Sequence, residues 1–229
     1  MIQNSVAIVM PVLNNWYYTK KAIQYLSKLP STHKLIIVDN GSTDSTAMLQ
    51  STNDLVVIHN KENFGFARGC NIGFASAREM GFRYVLFLNN DIRVFDQLSS
   101  WTETLIDHAE DGAIVGPTVG CLDDDLNFIC EASKFPSRGH GYLSGWCIMA
   151  KTETWERLAE GDELFSTEFG LAYFEDTDLG FRAREQDIPC EVVPVPIKHL
   201  GKATSKQLGI TDLYLKAKPI FLKKWKGKV

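Results

Sequence analysis

Residues 35–44 read Leu35-Ile36-Ile37-Val38-Asp39-Asn40-Gly41-Ser42-Thr43-Asp44, an apolar run that changes to polar residues at a single position. The four apolar residues predict a short buried strand. The polar residues that follow predict a turn, which can cap a helix running toward Leu49. The stretch therefore predicts a strand, a turn and a helix in succession, the unit from which parallel sheets are built.

Residues 6–11 and 84–88 are further apolar runs, and each of them is also followed by a polar turn. Helical patterns separate the runs, so the first half is expected to form βαβ units with a largely parallel sheet. The predicted strands of this half are residues 6–11, 35–38, 55–58 and 84–88, and its predicted helices are residues 19–29 and 64–80.

Past residue 91 the strict alternation of strands and helices is lost. The predicted elements are a helix over residues 96–109, a strand over 113–119, a turn at 123–125 between apolar residues, an apolar stretch at 141–150 and a charged helix over 175–186. The second half is therefore expected to mix antiparallel pieces into the sheet. We find no internal repeat and no linker composition that would divide the chain, and we expect one α/β domain.

Charge and cysteine content exclude several classes of protein. The formal net charge of −4 gives no support for a nucleic-acid-binding surface. The five cysteines are scattered, odd in number and without a Cys-x-x-Cys pair, which argues against a disulfide framework or a zinc ribbon and favours buried thiols in a reducing compartment. The sequence shows neither a signal-peptide pattern nor a run of about 18 apolar residues that a membrane span needs. We expect a cytoplasmic protein.

The three polar turns are the place where the sequence predicts chemistry. Ligands of parallel α/β sheets bind beyond the carboxyl ends of the strands, and these turns are expected to share one sheet edge. The sequence contains neither G-x-G-x-x-G after a strand nor G-x-x-x-x-G-K-[ST]. The main motifs that would indicate a dinucleotide-dependent dehydrogenase or a P-loop enzyme are therefore missing. Gly65, Gly69 and Gly73 recur every four residues, which indicates a helix packed closely on the sheet.

Several motifs together resemble the family-2 glycosyltransferases of the GT-A fold, and most closely the bacterial rhamnosyltransferase and galactofuranosyltransferase-like group. The residues that carry the resemblance are 8–15, 36–44, 63–67 with Asn71, 86–91, 144–147, 175–179 and His199. The resemblance covers about residues 5–201. It implies a nucleotide-binding half over about residues 1–91, an acceptor and catalytic half over about 92–201, and a basic C-terminal tail over 202–229.

The resemblance also implies residue roles toward a UDP-, dTDP- or GDP-sugar donor. The residues expected to contact the donor are Pro11, Val12, Asn14, Asp39, Arg68, Asn71, Asn89, Asn90 and Asp91. The Asp-x-Asp motif of the family holds a divalent cation on the donor diphosphate, and here it stands as Asn89-Asn90-Asp91. Asp91 is then the principal ligand of Mn²⁺ or Mg²⁺, with His199 as a further ligand.

For catalysis, the resemblance makes Asp176 the general base toward the acceptor hydroxyl in a single displacement that inverts configuration. Glu175 is expected to orient the acceptor or a neighbouring group. Gly145 and Trp146 are the candidate acceptor wall, since aromatic faces stack on sugars, although core packing explains a Trp equally well. The expected acceptor is a glycan or a lipid-linked glycan in polysaccharide biosynthesis.

Alternatives stay open for the tail and for the activity. Six lysines from Lys216 to Lys228, interspersed with apolar residues, are typical of a helix on an anionic membrane, here the inner face, or of a helix packed on the domain. Because the amide of Asn89 weakens the metal site, a catalytically silent sugar-nucleotide-binding accessory protein is an alternative. A sugar nucleotidyltransferase is less favoured, because its Gly-rich basic N-terminal signature is missing.

Overall fold

The computed structural model of the chain describes residues 4–95, 100–201 and 210–229. In these ranges the strands are β1 (Val6–Val12), β2 (Lys34–Asp39), β3 (Leu55–His59), β4 (Tyr84–Leu88), β5 (Ile92–Val94), β6 (Ile114–Gly116), β7 (Val119–Leu122), β8 (Phe128–Ala132), β9 (His140–Leu143), β10 (Cys147–Lys151), β11 (Cys190–Val192) and β12 (Ile197–His199). The helices are α1 (Trp16–Leu26), α2 (Phe66–Glu79), α3 (Trp101–Ala109), α4 (Thr152–Leu158), α5 (Glu175–Glu185) and α6 (Ile210–Trp225), and a 3-10 helix spans Ser45–Met48.

Seven strands form the central sheet in the order β11-β6-β10-β4-β1-β2-β3. The strands β1 to β4 are parallel, whereas β10 runs antiparallel to β4 and β6. Two smaller sheets, β8-β7-β9 and β12-β5, come from the second half of the chain. The predicted α/β class with a mostly parallel sheet and a mixed second half is confirmed. Since β1, β2 and β4 are parallel, their carboxyl ends lie at the same edge of the sheet.

Helices cover both faces of the central sheet. The strand β1 is buried along its whole length, which explains its unbroken apolar sequence. One face packs against α1 and α3, and the other against α2, α4 and α5. The helix α2 lies so close to the sheet that a Cβ on Gly73 would come within 2.2 Å of Val9 Cγ1. Gly69 and Gly73 therefore serve helix packing, as their spacing predicts, whereas Gly65 is the N-cap of α2 with a φ of 88° and lies against the backbone of Leu171.

The structure corrects several predicted boundaries. The strand predicted over residues 113–119 is two strands, β6 and β7, separated at Pro117, which has no N–H for a sheet ladder. The first helix begins at Trp16 and not at residue 19, because the Trp16 amide donates to Asp44 Oδ2 at 2.8 Å. The predicted helix over 96–109 is observed as α3, and residues 96–99 lie outside the described residues. The short elements β5, β11, β12 and α4 carry no pattern that the sequence analysis recognised.

The C-terminal helix α6 packs on the domain. Ala217, Phe221 and Trp225 are fully buried on one side of it, in a cluster with apolar residues of β7, β9 and α5. Of the two interpretations of the basic tail, this arrangement fits the helix packed on the domain; residues 202–209 of the tail lie outside the described residues. None of the described helices combines the length and apolar composition needed to cross a membrane.

Candidate functional site

A cavity of about 640 Å³ lies at the edge of the sheet where β1 and β4 end. Its walls come from distant parts of the chain: the ends of β1 and β4, the turn between β9 and β10, the start of α5, and α6. Predicted site residues that line it are Pro11, Val12, Asn89, Asn90, Asp91, Gly145, Trp146, Glu175, Asp176 and His199. The fold therefore brings ten of the fourteen predicted site residues to one cavity.

One corner of the cavity is formed by Asn89, Asp91 and His199. The pairing of β12 with β5 places His199 opposite Ile92, directly beside Asp91. His199 Nε2 lies 3.0 Å from Asp91 Oδ1 and 3.2 Å from Asn89 Nδ2. The Trp146 ring stacks on the His199 ring at 5.2 Å with an interplanar angle of 9°. The imidazole is therefore held in position from two sides.

The donor atoms of this corner fit a divalent cation. They comprise the buried carboxylate of Asp91, the imidazole of His199 and the amide of Asn89, whose nitrogen faces His199 and whose oxygen is buried without a hydrogen-bond partner. Such a partnerless oxygen is an available hard ligand. Among the described residues no group of three or more His, Cys, Asp or Glu side chains is arranged to hold a metal. A cation here would thus have few charged protein ligands and would depend on oxygens from a substrate or from water.

Glu175 and Asp176 lie on another wall of the same cavity, at the start of α5. The Gly145 amide donates to Asp176 Oδ2 at 2.9 Å, and the Thr177 amide donates to Asp176 Oδ1 at 2.8 Å. A Cβ on Gly145 would lie 2.8 Å from the Asp176 Cβ. Position 145 therefore needs a glycine for the turn between β9 and β10 to approach Asp176 and bind it.

The two neighbouring carboxyl groups differ in their electrostatic surroundings. Burial, and then the nearby charge of Asp176, raises the pKa of Glu175 to about 8. Burial also raises the pKa of Asp176, but hydrogen bonds from Gly145 and Thr177 oppose the rise by stabilising its charged form. The hydrogen bonds therefore favour the charged form of Asp176, whereas burial favours the protonated form of Glu175.

A strained turn positions this pair. Tyr173 and Phe174, which precede α5, have φ angles of 78° and 69°. Left-handed backbone at a bulky residue is unfavourable by about 1–2 kcal/mol per residue, so neighbouring contacts must hold it. The Phe174 ring stacks on Phe221 of α6 at 4.6 Å and contacts Tyr214 at 5.2 Å. The aromatic face of α6 therefore supports the turn that carries the two carboxyl groups.

The third acid of the cluster, Asp178, serves structure and does not face the cavity. It is fully buried, and its Oδ2 accepts a hydrogen bond from Arg182 Nε at 2.8 Å. Its Oδ1 accepts from Trp225 Nε1 and from Lys224 Nζ, both at 2.8 Å. Asp178 thereby fastens α6 to α5.

Four predicted donor-binding residues do not line the cavity. Asn14 Oδ1 accepts from the Thr43 amide at 2.7 Å and joins two loops. Asp39 accepts from the Ser42 amide and contacts His59 Nδ1 at 2.8 Å. The Arg68 guanidinium lies 4.9 Å from the centre of the Phe64 ring.

Asn71 is held by hydrogen bonds through both ends of its side-chain amide. Its amide nitrogen donates to the Phe165 carbonyl at 2.8 Å, and its oxygen accepts from the amides of Leu164 and Phe165. The side chain is therefore occupied in fixing a buried loop to α2, and the structure gives no support to the predicted contact with a nucleotide.

The sequence analysis missed the cavity walls supplied by Tyr173, Phe174, Leu213 and Tyr214. The first two directly precede the acidic cluster, so their position in the sequence was a usable signal. No comparable signal marked Leu213 and Tyr214, because their proximity depends on how α6 returns across the domain.

Two solved structures of glycosyltransferases resemble the fold. The mannosyltransferase PcManGT from Pyrobaculum calidifontis, in complex with GDP-Man and Mn²⁺, superposes with a TM-score of 0.60 at 17% sequence identity, over 86% of this chain and 57% of that structure. TarS 1–349 of S. aureus, in complex with UDP-GlcNAc, gives a TM-score of 0.59 at 17% identity, over 88% of this chain and 60% of that structure. The chain thus spans less than two thirds of the length of each.

The fold is therefore that of the GT-A glycosyltransferases. A comparison with curated protein sequences finds no match. The family model described as glycosyl transferase family 2 matches residues 7–159, which include all but the first residue of β1, every strand from β2 to β10 and the turn that carries Asp91. Since this match covers more than half of the chain, the chain belongs to glycosyl transferase family 2.

Proposed function

We propose that this chain transfers a sugar from a nucleoside diphosphate sugar to an acceptor hydroxyl, with inversion of configuration. The observation that carries the proposal is the shared cavity, in which the Asn89, Asp91 and His199 corner and the Glu175 and Asp176 pair face a common space. A cation-binding corner suits a diphosphate leaving group, and a buried carboxylate suits an acceptor hydroxyl. Transfer needs both in one cavity.

The donor half of the proposal rests on the strand ends. Pro11, Val12 and Asn89 to Asp91 line the cavity at the ends of β1 and β4, where nucleotides bind in parallel α/β sheets. PcManGT holds GDP-Man and TarS holds UDP-GlcNAc. We propose a UDP-, dTDP- or GDP-sugar as donor, and a hexose or deoxyhexose, including the rhamnose or galactofuranose type, as the transferred sugar.

We propose that Asp91 and His199, with the Asn89 amide oxygen, hold Mn²⁺ or Mg²⁺ together with the donor diphosphate. PcManGT was solved with Mn²⁺. Imidazole suits Mn²⁺ better than Mg²⁺. When bound, such a cation supplies positive charge that stabilises the departing diphosphate. A metal binds the neutral imidazole, so the direct contact between His199 Nε2 and Asp91 Oδ1 would have to be replaced by bonds from both groups to the metal.

Asp176 is the proposed catalytic base. Hydrogen bonds from Gly145 and Thr177 orient its two oxygens and favour its charged form. It would take the proton of the acceptor hydroxyl while the hydroxyl oxygen forms a bond to the anomeric carbon and the bond to the diphosphate breaks. Protonated Glu175, which has no hydrogen bond from another described residue, is free to donate one to the acceptor.

The acceptor side of the cavity is lined by aromatic and aliphatic groups. Phe128, Tyr142, Tyr173, Leu213 and Tyr214 form much of this wall. We propose an acceptor that presents apolar or ring surfaces beside its hydroxyl, as a glycan or a lipid-linked glycan does.

Contact of the tail with an anionic membrane also stays a proposal, and it would rest on exposed lysines, because the apolar side of α6 packs on the domain. Sedimentation with anionic vesicles tests it.

One observation favours a second function. Asn89 supplies an amide where the family motif has a carboxylate, so the corner binds a cation with only one carboxylate. A protein with a weak metal site could act as a sugar-nucleotide-binding accessory subunit without turnover. This alternative predicts donor binding that is independent of Asp176 and unaccompanied by release of nucleotide.

The test is nucleotide release from a panel of UDP-, dTDP- and GDP-sugars, with and without Mn²⁺, in the presence of simple glycan acceptors. The enzyme is expected to release the nucleotide of one donor class, and Asp176→Asn is expected to suppress the release. Donor binding by calorimetry without any Asp176-dependent release would support the accessory protein. Absence of binding to every donor would contradict both functions.

A further inference from the structure

Two cysteines lie opposite each other in the hairpin of β7 and β8. In this antiparallel pair Cys121 is the direct partner of Cys130. Directly opposite residues of antiparallel strands have Cα atoms about 4.5–5.5 Å apart and project their side chains to the same face. A disulfide needs a Cα separation of about 4.4–6.8 Å. The register therefore places the two cysteines within the Cα separation that a disulfide spans.

The two thiols differ in their access to solvent. Cys130 is exposed, whereas Cys121 is 5% exposed. Burial, together with a hydrogen bond to Cys130, raises the pKa of the Cys121 thiol. Cys70 and Cys147 are buried, and Cys190 is half-buried in β11 of the central sheet. An external oxidant would thus meet Cys130 first, with Cys121 as its immediate neighbour.

The pair also lies in the wall of the cavity. Leu122 follows Cys121 directly and Phe128 precedes Cys130 by two residues, and both line the cavity. The register of the two strands shifts between Cys121 and Leu122. A covalent link at this position would fix the hairpin at the point where its pairing changes, next to two side chains of the wall.

We propose that Cys121 and Cys130 are a redox pair that a small-molecule disulfide, such as oxidised glutathione, converts into a cross-strand disulfide. The Cys130 thiolate attacks one glutathione sulfur, the glutathione disulfide bond breaks, and one glutathione leaves as a thiolate. Cys121 then loses its proton to solvent, and its sulfur attacks the Cys130 sulfur and releases the second glutathione. Two protein thiols are oxidised and one glutathione disulfide is reduced to two thiols.

The experiment treats the purified chain with excess oxidised glutathione, blocks remaining thiols with N-ethylmaleimide and maps the peptides by mass spectrometry. Residues 94–134 contain both cysteines and only one trypsin site, at Lys134, so trypsin leaves the two in one peptide. Cleavage at the aspartates of residues 123–125 then separates them unless they are linked. We expect a linked pair of fragments in the wild type and in Cys190→Ser, which is the matched control.

The single variants distinguish the roles of the two thiols. Cys121→Ser is expected to leave Cys130 as a stable mixed disulfide with glutathione, and Cys130→Ser is expected to leave Cys121 unreacted. Reduction by dithiothreitol should return the wild type to two alkylatable thiols. If the wild type instead retains glutathione on Cys130 beside a free Cys121, or if Cys121 links to Cys190, the proposed pair is wrong. Neither result bears on the transfer activity.

Discussion

Asp176 and Glu175 are neighbours in the chain, yet they meet different partners. Asp176 accepts hydrogen bonds from Gly145 and Thr177, whereas Glu175 lies in the cavity without a donor from another described residue. The acidic cluster itself was visible in the sequence. The division between a charged and a protonated carboxyl group was not, because it depends on a turn about 30 positions away in the chain.

Asp176→Asn is expected to lower the rate of sugar transfer by about 10²-fold or more, because an amide cannot take the acceptor proton. The side chain keeps its size, so nucleotide affinity should stay within a few-fold of wild type. Steady-state kinetics and calorimetry measure the two quantities. Asp124→Asn, at an exposed acid of the β7–β8 turn, is the control, and near-normal turnover of Asp176→Asn would contradict its role as the base.

Glu175→Gln is expected to stabilise the protein increasingly as the pH rises. Burial raises the pKa of Glu175 from its ordinary value of 4.5 to about 8 in the folded chain. Between pH 4.5 and pH 8 the folded state therefore binds a proton that the unfolded state has lost. Wild-type stability therefore falls as the pH rises from 4.5 through 8. The glutamine does not titrate, and its advantage at pH 8 should be about 4 kcal/mol.

Denaturant unfolding at several pH values between 5 and 8 measures this difference. Glu79→Gln, an exposed glutamate at the end of α2, is the matched control and should follow the wild-type curve. A Glu175→Gln curve parallel to that of the wild type would show that Glu175 titrates normally.

Asp91→Ala is expected to abolish cation-dependent binding of a nucleoside diphosphate, since Asp91 is the one carboxylate that the described part of the chain places in this corner. Asn89→Asp is expected to keep or strengthen that binding, because a second carboxylate joins the site. Titration calorimetry with the nucleotide, with and without Mn²⁺, measures both. Normal Mn²⁺-dependent binding by Asp91→Ala would place the cation elsewhere.

At the scale of elements, α6 and α5 behave as one unit. Asp178 joins them through Arg182, Lys224 and Trp225, and the aromatic face of α6 holds the strained turn before α5. The sequence predicted α5 within one residue, because its charges and helix-favouring residues are local. It did not predict β5 and β12, three residues each, whose pairing brings His199 to Asp91. Such short strands form because of their partners and have too few residues for a periodic pattern.

Trp225→Phe is expected to destabilise the fold by about 1–3 kcal/mol, because a buried carboxylate oxygen loses a donor. Leu215→Ala, on the exposed side of the same helix, should change stability by less than about 0.5 kcal/mol. Truncation after Asp212 should have a larger effect, since it uncovers Phe174 and Phe181. Denaturant unfolding compares the variants, and a truncated chain as stable as the full one would contradict this role of α6.

At the scale of the molecule, one cavity is assembled from five regions of the chain. The sequence located the strand-end regions, because polar turns after apolar runs predict a sheet edge with specific side chains. Not all of the polar residues that it singled out line the cavity. Asn14, Asp39 and Asn71 are satisfied by neighbouring amides or side chains of the protein, and such pairings depend on loop packing.

Binding of the correct nucleotide should raise the thermal unfolding midpoint of the whole domain. At a ligand concentration of about 100 times Kd the stabilisation is about 2.7 kcal/mol. For a chain of this size this corresponds to a rise of about 5–10 °C. A thermal-shift screen with UDP, dTDP, GDP and CMP, each with and without Mn²⁺, should single out one nucleotide, most strongly with the cation. Equal shifts for all four would indicate nonspecific binding.

The dependence of the catalytic turn on α6 has a consequence for biosynthesis. Chains fold during synthesis from their N-terminal side. A nascent chain that has reached about residue 200 contains the central sheet and both carboxyl groups, but not the aromatic side chains of α6 that contact Phe174. We expect competence toward substrate to arise only after α6 has emerged from the ribosome. Limited proteolysis of ribosome-bound chains of increasing length would then show cleavage near residue 174 that disappears at that stage, and earlier protection would contradict this order.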